Sequence, residues 1–185
     1  MAGVKPRLIG LMGYAGAGKS EVARLLRERH GYQSFHIVQP LKAMLGTLLR
    51  EIGHDEETIA RYVDGDLKRE VIPELGVTST WAQQTLGTEW GRVCIRPDLW
   101  LSLWLAKADR IIAGGGRVAQ ESVRYPNEAE ALRARGAMLI EVRRSGVGPL
   151  SDHPSEKPPA QADLILQNDG TLDDLRAAVD NLMAA

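Results

Sequence analysis

Eight residues, Gly13-Tyr14-Ala15-Gly16-Ala17-Gly18-Lys19-Ser20, carry the strongest chemical signal in the chain. They satisfy the pattern G-x-x-x-x-G-K-[ST] at every fixed position, directly behind the apolar run Leu8 to Met12. Glycines at 13, 16 and 18 allow a tight turn whose N–H groups converge on one point, a concavity suited to an anion. A helix starting near Gly18 aims its N-terminus at the same point, with about half a positive charge. Lys19 adds a full charge for the β- and γ-phosphates, and the Ser20 hydroxyl is a ligand for Mg²⁺. Gly13, Ala15, Gly16, Ala17, Gly18, Lys19 and Ser20 are therefore expected to bind a nucleoside triphosphate. A chance glycine-rich turn is the competing reading, and the strand-like run before and amphipathic run after count against it.

Those residues need a scaffold, and the rest of the chain supplies alternating strands and helices. Val22, Ala23, Leu25 and Leu26 recur at helical spacing after the loop, and His30-Gly31 closes that helix. Tyr32 to Val38 reads as a second strand, and Pro40 opens a helix that stops at Gly53. His54-Asp55-Glu56-Glu57 begins a short helix with acidic residues in its first turn. Gly65 to Gly76 is charged and irregular. A helix follows from about Ser79, and Pro97-Asp98 starts a long apolar one. Trp90, Trp100 and Trp104 lie near one another, a grouping that is more often core than a ligand stack.

Past the Gly114-Gly115-Gly116 turn, Arg117 to Val123 is expected to be a strand, although Gln120 and Glu121 make it polar for a buried one. Asn127 to Arg135 reads as helix, and Ala137 to Arg143 and Ala162 to Gln167 as strands. Thr171 caps a closing helix that runs to Met183. The pattern predicts one α/β domain over residues 1–185, a parallel sheet with helices on both faces. Nucleotides should lie outside the carboxyl ends of the strands. Residues 144–160, rich in Gly, Pro, Ser and Asp, leave that edge and are expected to form a mobile lid.

Composition narrows the classes. The 185 residues are 44% hydrophobic and 25% charged with a net charge of −1, ordinary for a globular protein and without the excess of a polyanion binder. The single Cys94 excludes an internal disulfide and fits a reducing compartment. Met1 to Arg7 has no signal-peptide apolar core, and the run Leu99 to Ala106 is too short to cross a bilayer. A cytoplasmic protein is expected (host cytoplasm for a viral one), with no nucleic-acid and no membrane partner. A homodimer is left open.

Six stretches together resemble the phage-type deoxynucleoside monophosphate kinases, within the nucleoside monophosphate kinase branch of phosphate-loop proteins. They are G-Y-A-G-A-G-K-S, P-L-K at 40–42, Q-T-L-G-T-E-W-G-R at 84–92, V-R-Y-P-N-E-A at 123–129, D-H-P-S-E at 152–156 and N-D-G-T-L at 168–172. The resemblance implies transfer of the γ-phosphoryl of ATP, with Mg²⁺, to a deoxynucleoside monophosphate. Lys42, Lys68, Gln84, Trp90, Arg92, Arg124 and Glu156 would then meet the acceptor, with His153 as a further lid contact. Lys19, Arg124, Arg143 and Arg144 would serve the transfer, the last two from the base of the lid.

The sequence departs from the family pattern at two places. Ser122, with Glu121 beside it, stands where an Asp is usual, and Thr80 stands where an Arg is frequent. Regular strand alternation would let only one of Glu121 and Ser122 face a metal held beside Ser20. Glu121 is favoured as the hard anionic ligand. Two other readings compete: a small-molecule kinase resembling dephospho-coenzyme A kinase, and a nucleotide switch. The switch strings D-x-x-G and N-K-x-D are absent from the sequence.

Overall fold

A computed structural model of the chain describes residues 5–149 and 159–184. The chain divides into two compact units, Met1–His36 with Ala106–Ala185, and Ile37–Leu105. No Pro- or Gly-rich linker marks either junction.

The first unit is built on a five-stranded, all-parallel sheet in the order β2-β5-β1-β6-β7. Its strands are β1 (Leu8–Met12), β2 (Tyr32–Ser34), β5 (Arg117–Gln120), β6 (Met138–Arg143) and β7 (Leu164–Gln167). Every residue of central β1 is buried, as expected where helices cover both faces of a parallel sheet. Side chains alternate along the strand, so β1 sends Ile9 and Leu11 to one face. There they pack with Val22, Leu25 and Leu26 of α1 (Lys19–His30) and with Leu175, Val179 and Met183 of α7 (Leu172–Ala184). On the other face Gly10 lets Leu132 of α6 (Pro126–Arg133) close in. A Cβ at Gly10 would lie 2.7 Å from Leu139 and 3.0 Å from Leu132. This is the expected α/β phosphate-loop architecture.

Two strands are shorter than their apolar runs suggest. β2 ends at Ser34 rather than Val38; Phe35 and Ile37 are nevertheless buried, with the Lys107 ammonium 4.1 Å from the Phe35 ring centroid. β5 ends at Gln120 rather than Val123. Thr171 caps α7 as expected, its Oγ1 accepting from the Asp174 N–H at 3.2 Å.

The second unit has its own core. Leu45 and Leu49 of α2 (Gln39–Glu51) pack with Ile59, Tyr62 and Val63 of α3 (Glu56–Val63) and with Ile72. Asp55 caps α3, accepting from the Thr58 N–H at 2.7 Å. Gly65 to Gly76, expected to be irregular, holds a 3₁₀ turn (Asp66–Arg69) and β3 (Val71–Ile72), which pairs with β4 (Val77–Thr78) as an antiparallel hairpin. α4 (Ser79–Thr85) then runs into a ten-residue π-helix, Leu86–Ile95, followed by α5 (Leu99–Ala113).

Candidate active site

The phosphate loop takes the backbone shape its glycines permit. Gly13, Gly16 and Gly18 have φ of 129°, 84° and 104°, values that side chains with a Cβ rarely adopt. Gly13 is fixed further by crowding, since a Cβ there would lie 2.3 Å from the Val142 carbonyl oxygen. Gly18 caps α1, and its carbonyl accepts the first helical bond from the Val22 N–H at 3.0 Å. Lys19 folds back over the loop and donates to the Gly13 and Tyr14 carbonyls at 2.7 and 2.8 Å. From the far end of the sequence, Asn168 donates its amide to the Ala17 carbonyl at 2.8 Å. The N-D-G-T-L turn therefore braces the loop, a role its sequence did not disclose.

Beside the loop lies a cleft of ≈ 530 Å³, lined by Ala15, Gly16, Gly18, Lys19, Ser20, Glu21, His36, Glu121, Ser122 and Arg124. Lys19, Ser20, Glu121 and Arg124, four residues singled out from sequence, thus meet at one place. Because β5 stops at Gln120, strand alternation does not apply beyond it, and Glu121 and Ser122 both reach the cleft. The condition under which only one of them could face a metal, a regular strand through both, is not met here. Glu121 is 13% exposed. Its Oε1 accepts from the Ser34 hydroxyl, with Arg27 Nη1 at 3.9 Å, and its Oε2 lies 3.0 Å from His36 Nε2. The hydrogen bond from His36, then that from Ser34 and the charge of Arg27, hold the Glu121 carboxyl below the usual range against the opposing effect of burial. Neither Ser34 nor His36 carries a motif, so only the fold reveals them.

Arg143 and Arg144 do not line this cleft. They line a smaller cavity of ≈ 190 Å³ with Tyr14, Ala17, Glu141, Ser145, Val147 and Gln167. Arg143 grips Glu141 with two bonds, 2.9 and 2.8 Å, which raises the Arg143 pKa. Ser145, at the start of the expected lid, is tied by its N–H to Asp169 at 2.6 Å. His153, Glu156 and most of the expected lid lie outside the described residues.

Residues 78–179 match the family model described as deoxynucleotide monophosphate kinase, just over half of the chain. The chain belongs to this family. Among curated proteins it is similar to a protein of Acanthamoeba polyphaga mimivirus named "Putative deoxynucleotide monophosphate kinase", 27% identical over 93% of each chain. Among solved structures it shares its fold with dephospho-CoA kinase from Campylobacter jejuni, at a TM-score of 0.51 and 13% identity over 95% of this chain and 94% of that one. The chain is an ATP-dependent phosphotransferase.

The L-G-T-E-W-G-R stretch, inside the matched residues, forms most of the π-helix, where N–H groups bond five residues back; the Arg96 N–H continues the pattern to the Gly91 carbonyl at 3.0 Å. Such segments are rare and concentrate at functional sites. Both glycines answer to Trp100. The Gly87 carbonyl accepts from the Trp100 indole at 2.8 Å, and a Cβ on Gly91 would come within 2.6 Å of that ring. Trp100 and Trp104 are buried as expected, whereas Trp90 is 40% exposed, its ring centroid 6.0 Å from that of Trp100. Gln84, on α4, and Arg92, on the π-helix, are exposed. The neighbouring Gln83 is structural, donating to the Val63 carbonyl at 2.9 Å and to buried Ser79 at 3.1 Å. Lys42 pairs with Asp64. Thr80 donates its hydroxyl to the Lys68 carbonyl at 2.9 Å.

Proposed function

We propose that this kinase transfers the γ-phosphoryl group of ATP to the 5′-phosphate of a deoxynucleoside monophosphate, releasing ADP and the deoxynucleoside diphosphate. The observation that carries the reading is the meeting of Lys19, Ser20, Glu121 and Arg124 in one cleft of a chain that belongs to the deoxynucleotide monophosphate kinase family. Two polyanions repel each other, so transfer between them rests on positioning and on cations placed where charge develops. Lys19 serves the donor phosphates and Arg124 the group in transit. The attacking phosphate oxygen already carries charge, so no side chain has to take a proton from it. Glu121, with both oxygens engaged, suits this chemistry better as a fixed charge than as a base.

The donor set suits Mg²⁺. The Ser20 hydroxyl and the Glu121 carboxylate are hard oxygen donors in the same cleft. Among the described residues no group of three or more His, Cys, Asp or Glu could hold a metal alone, so phosphate oxygens would complete the shell. Bound there, Mg²⁺ would neutralise charge on the β- and γ-phosphates.

On the acceptor side we assign Lys42, Lys68, Gln84, Trp90 and Arg92, with Arg92 on the monophosphate because its planar guanidinium can bind an oxyanion in bidentate fashion. Arg92→Lys should raise the KM for the monophosphate well above any change in the KM for ATP; a selective loss of ATP binding would move Arg92 to the donor side. Arg143 and Arg144 are assigned to the donor nucleotide. The reaction itself is tested by ADP release from ATP against deoxynucleoside monophosphates, ribonucleoside monophosphates and dephospho-coenzyme A. Release dependent on dephospho-coenzyme A alone would replace the proposal with the other kinase reading.

A further inference from the structure

The wall of the cleft between β5 and α6 is held from below by two side chains with no contact to the cleft themselves. Gln120 is 3% exposed and Glu128 6%. Polar groups so buried keep their place when they are hydrogen-bonded, and both bond the backbone of the same five residues. Gln120 Oε1 accepts from the Ser122 N–H at 2.5 Å, and Gln120 Nε2 donates to the Ser122 carbonyl at 2.9 Å. Glu128 sits at the third position of α6 and reaches back over the helix start, where a Glu commonly caps. Its Oε2 accepts from the Arg124 N–H at 2.8 Å and the Tyr125 N–H at 3.4 Å. Between these two clasps, Val123 is pinned to the sheet by its N–H to the Leu11 carbonyl at 2.8 Å. The outward side chains then organise one another, as Arg124 Nε donates to Ser122 Oγ at 3.1 Å.

We propose that Gln120, Ser122 and Glu128 are positioning residues that preset the Arg124 guanidinium in the phosphate cleft. Gln120 fixes the backbone of Ser122, Glu128 fixes the backbone of Arg124, and the Ser122 hydroxyl sets the direction of the guanidinium. Ser122 therefore has a duty of its own: it orients a cation, where the sequence reading weighs it only against Glu121 for a metal. A preset guanidinium needs less ordering when a phosphate arrives, and misplacement of such a group lowers turnover without touching the reacting atoms. The kinetic part rests on the proposed role of Arg124 at the phosphates, whereas the clasp itself does not.

The test compares Gln120→Leu, Glu128→Leu, Glu128→Gln and Ser122→Ala with wild type. Amide hydrogen exchange at 122, 124 and 125 and the Arg124 Nε–H resonance are read by NMR, together with kcat and KM for both nucleotides. The two Leu variants should exchange these amides at least about tenfold faster, since each leaves a backbone group without its partner. They should lower kcat/KM for the acceptor by about tenfold or more while the KM for ATP stays within about threefold. Glu128→Gln keeps a carbonyl acceptor and should restore most of the protection. Ser122→Ala removes one hydroxyl at a half-exposed site, so it reports even if a Leu variant fails to fold. It should shift the Arg124 Nε–H signal and lower acceptor kcat/KM severalfold. Wild-type exchange in folded Leu variants overturns the clasp. Faster exchange, or a displaced Arg124 signal, with unchanged kinetics for every acceptor overturns the positioning role while leaving the clasp and the kinase reading intact.

Discussion

Gly18→Ala and Asn168→Ala should be strongly non-additive, because the two residues compete for one space. A Cβ at Gly18 would stand 2.3 Å from Asn168 Nδ2, the atom that donates to the Ala17 carbonyl at 2.8 Å. Alanine at 18 must also hold φ near 104°, a strain worth about 1–3 kcal/mol. Evicting the Asn168 amide removes a half-buried hydrogen bond worth about 1 kcal/mol. Gly18→Ala alone should therefore cost about 2–4 kcal/mol, and Asn168→Ala alone about 1 kcal/mol. With Asn168 already cut back, alanine at 18 meets only the backbone strain. The double variant should then cost no more than Gly18→Ala, a coupling of about 1 kcal/mol. Urea unfolding followed by far-ultraviolet circular dichroism, at unchanged m, measures all four corners of the cycle. Costs that add to within about 0.3 kcal/mol would refute the claim that the Asn168 turn braces the phosphate loop through this contact.

Three further perturbations follow from the same geometry. Lys19→Ala should keep its circular dichroism spectrum and lose turnover by about a thousandfold, near 4 kcal/mol of barrier, and a loss below about tenfold would remove Lys19 from the transfer. Glu121→Gln should raise the Mg²⁺ concentration needed for half-maximal rate, whereas Ser122→Ala should leave that midpoint near wild type; a wild-type magnesium titration for Glu121→Gln would remove it from the metal. Asp180 is held at a pKa of about 2 by its bond from Arg29 and then by His30. A depressed carboxylate stabilises above its unfolded value of about 3.9 and loses that effect as pH falls toward the folded value. The Tm advantage of wild type over Asp180→Asn should thus be full at pH 6 and shrink below about pH 4. A constant difference would mean that the Asp180 charge contributes nothing to stability.

The phosphate loop, central β1 and the Thr171 cap were legible because short-range chemistry fixes them: glycines where φ is positive, an apolar run, a hydroxyl at a helix start. The end of β5 was not. Val123 continues the apolar pattern, but its N–H bonds Leu11 and the buried Gln120 amide folds onto Ser122, contacts that no periodicity encodes. The same holds for His36 and Ser34, which reach Glu121 across 85 and 87 positions of sequence. Likewise, the glycines of the L-G-T-E-W-G-R stretch answer to Trp100, whose place is set only once α5 has folded back. The motif could be recognised, but not the π-helix it builds.

The central claim, that the cleft passes a phosphoryl group from ATP to the phosphate of a deoxynucleoside monophosphate, is tested most directly by ³¹P NMR of the wild-type reaction. With ATP, Mg²⁺ and each of the four common deoxynucleoside monophosphates in turn, at least one mixture should develop the paired resonances of a deoxynucleoside diphosphate as ADP accumulates. The same mixture with Lys19→Ala should show neither. Appearance of ADP with free inorganic phosphate, and of no deoxynucleoside diphosphate in any mixture, would contradict the account.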